Sequence, residues 1–177
     1  MTRHVTDYLV HEHQELLLLL NKLQEQLGVL RLSRDRGRAA ERLSGLGRKL
    51  AQALHTHLLE EEQILYPALQ EQLQGIAFTL DRMRDEHDNG EQAEKSFRQS
   101  LDRLLEGKGN PQEVLQNGRQ YILWLRNHCL DENGRLFPMV ERGLDLPTPE
   151  AVRHALEELS QECSARIAEG QAFAGQA

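Results

Sequence analysis

An all-α fold, specifically an up-down-up-down four-helix bundle with an additional C-terminal helix, is what this sequence predicts, on three observations. Leu, Gln, Glu, Arg and Ala dominate, and no segment alternates β-branched with polar residues between turn signals. Apolar residues recur in steps of three and four along four long stretches. Short breaks rich in Gly, Pro or Arg separate those stretches, which suits neighbouring helices joined by modest connectors.

The first helix is expected from about Val5 to Leu27, stopping at Gly28, with the basic connector RLSRDRGR following from Arg31. The second starts near Arg38, carries Leu43, Leu46, Leu50, Leu54, Ile64 and Leu65 on its inner face, and ends after Tyr66-Pro67. A third runs from near Phe78 to Leu105, where Glu106-Gly107-Lys108-Gly109 breaks it. Asn110-Pro111-Gln112-Glu113 opens the fourth, with Asn as N-cap, Pro at the first helical position and Glu placed for a capping box. That helix passes through Trp124 and His128 to about Val140. Thr148-Pro149-Glu150 starts a fifth by the same logic, over about 148–168, packed on the outside of the bundle. Residues 1–177 form a single domain whose helical core spans about 5–142.

Composition excludes several classes. A chain of 177 residues can bury a real core. A net charge of −7 argues against nonspecific nucleic-acid binding, which needs a basic face to neutralise phosphates. Two cysteines, Cys129 and Cys163, are too few for a disulfide framework and fit a reducing compartment. No long apolar run follows the first basic residue, and Leu16–Leu20 is far short of the roughly 20 apolar residues of a membrane span. The expectation is a soluble cytoplasmic protein with neither nucleic acid nor membrane as partner.

One motif occurs twice. His57-x-x-x-Glu61 is followed by Tyr66-Pro67, and His128-x-x-x-Glu132 by Phe137-Pro138, with the aromatic-Pro pair at the same offset. A further histidine precedes each copy at a similar distance, His13 before His57 and His87 before His128. The polar residues interrupt apolar stripes: Leu43, Leu46, Leu50, Ala53, His57, Glu61, Ile64, Ala68 on the second helix, and Val114, Gly118, Tyr121, Leu125, His128, Glu132, Leu136, Met139 on the fourth. An unpaired buried carboxylate costs several kcal/mol or more, so these groups need a common partner, and a cation is the economical one. Residues i and i+4 lie about 5–6 Å apart on one helix face, so each pair can present imidazole and carboxylate to one point. Nitrogen and oxygen donors without thiolate favour iron or manganese over structural zinc.

Taken together, VHEHQEL around His13, HLLEEEQILYPAL from His57, RDEHDNGE around His87 and NHCLDENGRLFPMVE around His128 resemble the hemerythrin-like (HHE cation-binding) family. The resemblance implies a non-haem di-iron centre ligated by His13, His57, Glu61, His87, His128 and Glu132, with manganese or zinc as substitutes. It departs from the oxygen carriers of the family at two places. Met83 stands where they have a second third-helix His, and Asn133 where they have an Asp, with Glu132 one residue earlier. The cysteine-bearing N-terminal segment and extra His of related iron-centre repair proteins are not seen here either.

The function so implied is binding of a diatomic ligand, dioxygen or nitric oxide, for sensing, storage or stress response, with a redox partner protein. The alternatives are a di-iron oxidase, reductase or iron-handling protein, and a bundle that metal merely holds together. With Met83 leaving a metal position open, dioxygen is expected to oxidise the reduced centre quickly, and nitric oxide to bind more persistently. Other residues receive plainer readings. Glu91, four after His87, is a third pairing candidate; Tyr121, two turns before His128 on the inward stripe, is a candidate hydroxyl beside the metal ligands; Gly90 permits close packing or leaves room for a ligand. His4, His11, His55 and His154 are read as surface residues, and Cys129 as a packing residue off the metal face.

Overall fold

The computed structural model describes residues 6–73 and 75–143. The expected fifth helix, His4, His154 and Cys163 lie outside them. Among the described residues six α-helices and two single π-helical turns make up four rods: α1 (Asp7–Leu32); α2 (Arg36–Glu60), a wide turn (Glu61–Leu65) and α3 (Tyr66–Gln72); α4 (Ala77–Leu105); and α5 (Pro111–Asp131), a second wide turn (Glu132–Leu136) and α6 (Phe137–Gly143). No strand occurs among the described residues. The rods pack in a ring, α1 against α2, α2 against α4, α4 against α5 and α5 against α1, so the four-helix bundle is as expected.

α1 buries Leu9, His13, Leu16, Leu20, Leu23, Leu27 and Leu30 in steps of three and four. It runs through Gly28 rather than stopping there. A glycine inside a helix costs about 1 kcal/mol, less than the roughly 1.5–3 kcal/mol that burying one leucine such as Leu30 provides. The connector is accordingly short, and Asp35 caps α2 by accepting from the Arg38 amide at 3.1 Å. Asn110 caps α5 as expected, its Oδ1 accepting from the Gln112 amide at 2.9 Å. Glu113 does not complete a capping box; its carboxylate pairs with Arg103 of α4.

The second and fourth rods do not end at the aromatic-Pro pairs but run on past them. Each opens by one residue just before its proline: the Tyr66 amide bonds back to the Glu61 carbonyl, and the Phe137 amide to the Glu132 carbonyl. The prolines account for this. A proline ring has no N–H and crowds the carbonyl four residues back, here Gln63 and Gly134, and the wide turn moves that carbonyl aside. The inserted residue turns everything beyond it by about 100°. Ile64 and Ala68 therefore leave the inner face, and Leu65, Tyr66 and Leu69 take it; in the other copy Phe137 and Val140 are buried while Met139 is only half-buried.

Two apolar clusters result. The larger is built around Leu16, Leu20, Leu43, Leu50, Phe97 and Leu125; the smaller around Leu9, Leu65, Tyr66, Met83, Leu136 and Phe137. A layer of buried polar side chains lies between them in sequence on every rod.

Candidate metal centre

That layer contains every residue the repeat singles out. α1 supplies His13, α4 supplies His87, and each wide turn begins on the carboxylate of its His-x-x-x-Glu pair. His13, His57, Glu61, His87, His128 and Glu132 are all buried. Glu61 spans the centre, Oε1 lying 3.5 Å from His57 Nε2 and Oε2 3.5 Å from His87 Nε2. Glu132 Oε2 lies 3.2 Å from His13 Nε2 and 3.4 Å from His128 Nε2. Two sets of donors come within 4.8 Å of one another, His13 with His57, His128 and Glu132, and Glu61 with His87, His128 and Glu132, so the residues present could hold a metal.

The outer partners of the imidazoles decide which way their lone pairs face. His57 Nδ1 donates to Glu12 at 3.0 Å, His87 Nδ1 to Glu62 at 2.6 Å and His13 Nδ1 to Asn133 Oδ1 at 2.9 Å. A neutral imidazole that donates at Nδ1 has only a lone pair at Nε2. His13 Nε2 and His57 Nε2 then face each other at 2.8 Å as two lone pairs. Both Glu61 oxygens and Glu132 Oε2 are buried without a hydrogen-bond partner. Acceptors converging on acceptors, with their tautomers fixed from outside, is the arrangement a cation satisfies and a hydrogen-bonded core does not.

Electrostatics agree. Burial, then the neighbouring Glu132, pushes the Glu61 carboxyl well above the usual carboxylate range. Burial acts the same way on Glu132, but the His128, His13 and His57 imidazoles outweigh it and pull that carboxyl down to about 2. Burial lowers His57 and takes His128 down to about 3. The signs define a pH profile for the metal-free protein. As pH falls below about 6.5 the unfolded chain takes up protons at His57 and His128 first, and below about 4.5 at Glu132 as well, so the fold loses stability. Above about 6.5 His57 and His128 are neutral in both states, and ionising Glu61 costs stability as pH rises. Melting temperature after chelator treatment should therefore rise up to about pH 6.5, where the two histidines outweigh Glu61, and fall above it. A profile that rises from pH 6 to 8 would contradict this assignment.

Several polar neighbours of the centre were not legible in the sequence. The Tyr66 hydroxyl donates to Glu132 Oε1 at 3.4 Å and lies 3.4 Å from His87 Nε2, its ring stacked on His87. Burial, then the charges of Glu61 and Glu132, raises its pKa far out of reach, so it keeps its proton. Phe137, its counterpart in the repeat, stacks on His13 without a hydroxyl, which makes the two halves chemically unequal. Glu12, Glu62 and Asn133 were missed as well, and Glu60 is fully buried beside the centre's own Glu61. Their signal was proximity: Glu12 adjoins His13, Glu62 adjoins Glu61 and Asn133 adjoins Glu132.

Other candidates fall elsewhere. Glu91 is exposed and lines a surface cavity between α2 and α4 with His55, which is half-buried rather than on the surface. Tyr121 is fully buried, but its hydroxyl has no hydrogen-bond partner among the described residues, and it meets the centre only through the Trp124 ring. Gly90 admits Trp124, whose ring lies 2.0 Å from where a Cβ would be. His11 is exposed and Cys129 is packed in the larger cluster, as expected. Met83 is buried in the smaller cluster, together with Tyr66.

The family model described as hemerythrin HHE cation-binding domain matches residues 4–140. No curated protein matches the chain.

Proposed function

This chain belongs to the hemerythrin HHE cation-binding domain family, and from that premise we propose a non-haem di-iron protein that binds a diatomic ligand, dioxygen or nitric oxide. The observation that carries the reading is the set of inward lone pairs: outer carboxylates and an amide hold three imidazoles with Nε2 facing two bridging-length carboxylates. His13 and His57 would hold one iron, His87 and His128 the other, with Glu61 and Glu132 shared. Bound iron supplies one-electron chemistry and coordination positions open to a small ligand.

The chain's own residues set the character of the site. Leu9, Leu65, Met83, Leu136 and Phe137 are buried beyond it and keep bulk water away. Met83 offers no imidazole on α4, and the polar group in its cluster is the Tyr66 hydroxyl, which holds a proton beside Glu132. That hydroxyl keeps its proton and donates a hydrogen bond at the centre, and with no imidazole from position 83 oxidation is favoured over reversible carriage. No helix among the described residues is long and apolar enough to cross a membrane, which suits a protein that meets small molecules in water.

The test is stopped-flow mixing of iron-loaded, anaerobically reduced protein. With dioxygen the spectrum should pass quickly to that of the oxidised centre and stay there after degassing. With nitric oxide a persistent new spectrum should form. No spectral response to either gas would overturn diatomic binding, and an oxygen spectrum that reverses on degassing would make the protein a carrier.

A further inference from the structure

The two halves of the centre are built alike except in one quarter. His13, His57 and His87 each have an outer partner at Nδ1. By the repeat, Glu86 precedes His87 as Glu12 precedes His13, and should reach His128 as Glu12 reaches His57. It does not. Its carboxylate lies 3.7 Å from Arg82, and its carbonyl accepts from Trp124 Nε1 at 2.8 Å. His128, only 2 % exposed, is left with no hydrogen-bond partner at Nδ1 among the described residues.

What His128 has instead is an aromatic ring. The Trp124 indole lies nearly parallel to its imidazole, with centroids 5.3 Å apart and planes at 10°. The indole is fixed by its own hydrogen bond to Glu86 and by the gap at Gly90, which no side chain could share with it. In the other half the same position is Ala53, so the ring is not something the bundle needs at that layer. Trp124 is half-buried and, with His128, lines a surface cavity of about 640 Å³ bordered by Asn127, Leu130, Asp131 and Arg135. The indole and the imidazole stacked beside it thus both border a surface cavity.

We propose that Trp124 is an electron relay: a small one-electron donor docks in this cavity, and its electron passes through the indole and His128 to the metal. This rests on the reading of the centre as iron. Each transfer oxidises one donor by one electron and takes one ferric ion to ferrous, no bond forms or breaks, and two transfers reduce a two-iron centre. Tyr66 and Phe137 stack on His87 and His13 as well, but both rings are fully buried, whereas the ring stacked on His128 also lines a surface cavity.

The experiment uses iron-loaded full-length protein and hexaammineruthenium(II) as donor, followed by stopped flow. Trp124→Leu should keep the iron content and optical spectrum of the wild type while its reduction rate at saturating donor falls several-fold, with Trp124→Phe in between. Leu130→Glu, at an exposed edge of the cavity, should speed encounter with this cationic donor but leave the saturated rate unchanged. Trp124 is the chain's single tryptophan, so its fluorescence in the wild type should be strongly quenched by iron and far less by zinc. Equal reduction rates at equal iron content would overturn the relay while leaving the di-iron reading intact. Should the Leu variant fail to load, fluorescence indifferent to iron overturns the relay on its own. A wild-type chain that takes up no redox metal overturns both readings.

Discussion

Replacing Glu61 with Gln is expected to cost more than about 100-fold in metal affinity and, at the same time, to raise the melting temperature of the metal-free protein at pH 8. Outer partners of metal ligands are worth about 10–100-fold in affinity, and Glu61 is placed as a shared donor whose two oxygens face His57 and His87. An amide keeps the shape but removes the charge that offsets a cation. Without metal the balance reverses. Burial and Glu132 hold the Glu61 carboxyl protonated well past its usual range, so its ionisation works against the fold as pH rises. The amide has nothing to ionise. Melting curves of wild type and variant, each with and without chelator, check both arms. With chelator the variant should melt higher at pH 8; with metal the wild type should. A variant less stable in both conditions would mean that Glu61 serves packing rather than a cation.

Gly90→Ala should destabilise, whereas Gly28→Ala should stabilise, although both glycines lie in helix interiors. Alanine gains up to about 1 kcal/mol over glycine in a helix. At Gly28 nothing lies within 4 Å of an added Cβ, so that gain stands. At Gly90 the Cβ would sit 2.0 Å from the Trp124 ring, and 2.3 and 2.4 Å from two further ring atoms. The indole cannot simply step back, since it is hydrogen-bonded to Glu86 and stacked on His128. Overpacking of this kind costs about 1–3 kcal/mol, occasionally more, and the overlap is severe enough to exceed the propensity gain. Each kcal/mol should lower the melting temperature by roughly 2–8 °C in a domain of this size. Thermal melts of the two single variants decide it, and Gly90→Ala at or above the wild-type melting temperature would show that Trp124 is loosely held.

The sequence by itself determined the class of fold and the six residues at its centre. Helical periodicity survives without knowledge of neighbours, because an apolar stripe every three or four residues is a property of one helix. The candidate set was legible for a related reason: four histidines and two glutamates sit on those stripes, where burial has to be compensated, and the pattern is stated twice. Residues such as Glu91 and Tyr121 could not be sorted the same way, because spacing alone does not say whether a side chain faces the centre or a neighbouring groove. Glu91 faces a surface cavity, and Tyr121 is one ring removed.

Tertiary structure alone decided what depends on helix phase and on neighbours. The wide turns at Glu61 and Glu132 add one residue to the helical count, which moves Ile64 and Ala68 off the inner face and brings Tyr66 onto it. A reading at constant 3.6 residues per turn goes wrong from that point onward, and so it passed over Tyr66. The outer partners were hidden because each belongs to a different helix from the imidazole it fixes: Glu12 for His57, Glu62 for His87, Asn133 for His13. The asymmetry at His128 was hidden as well. Glu86 has the same place in the repeat as Glu12, and only the packed bundle, with Trp124 lying over His128 and Arg82 beside Glu86, turns one carboxylate toward the centre and the other away.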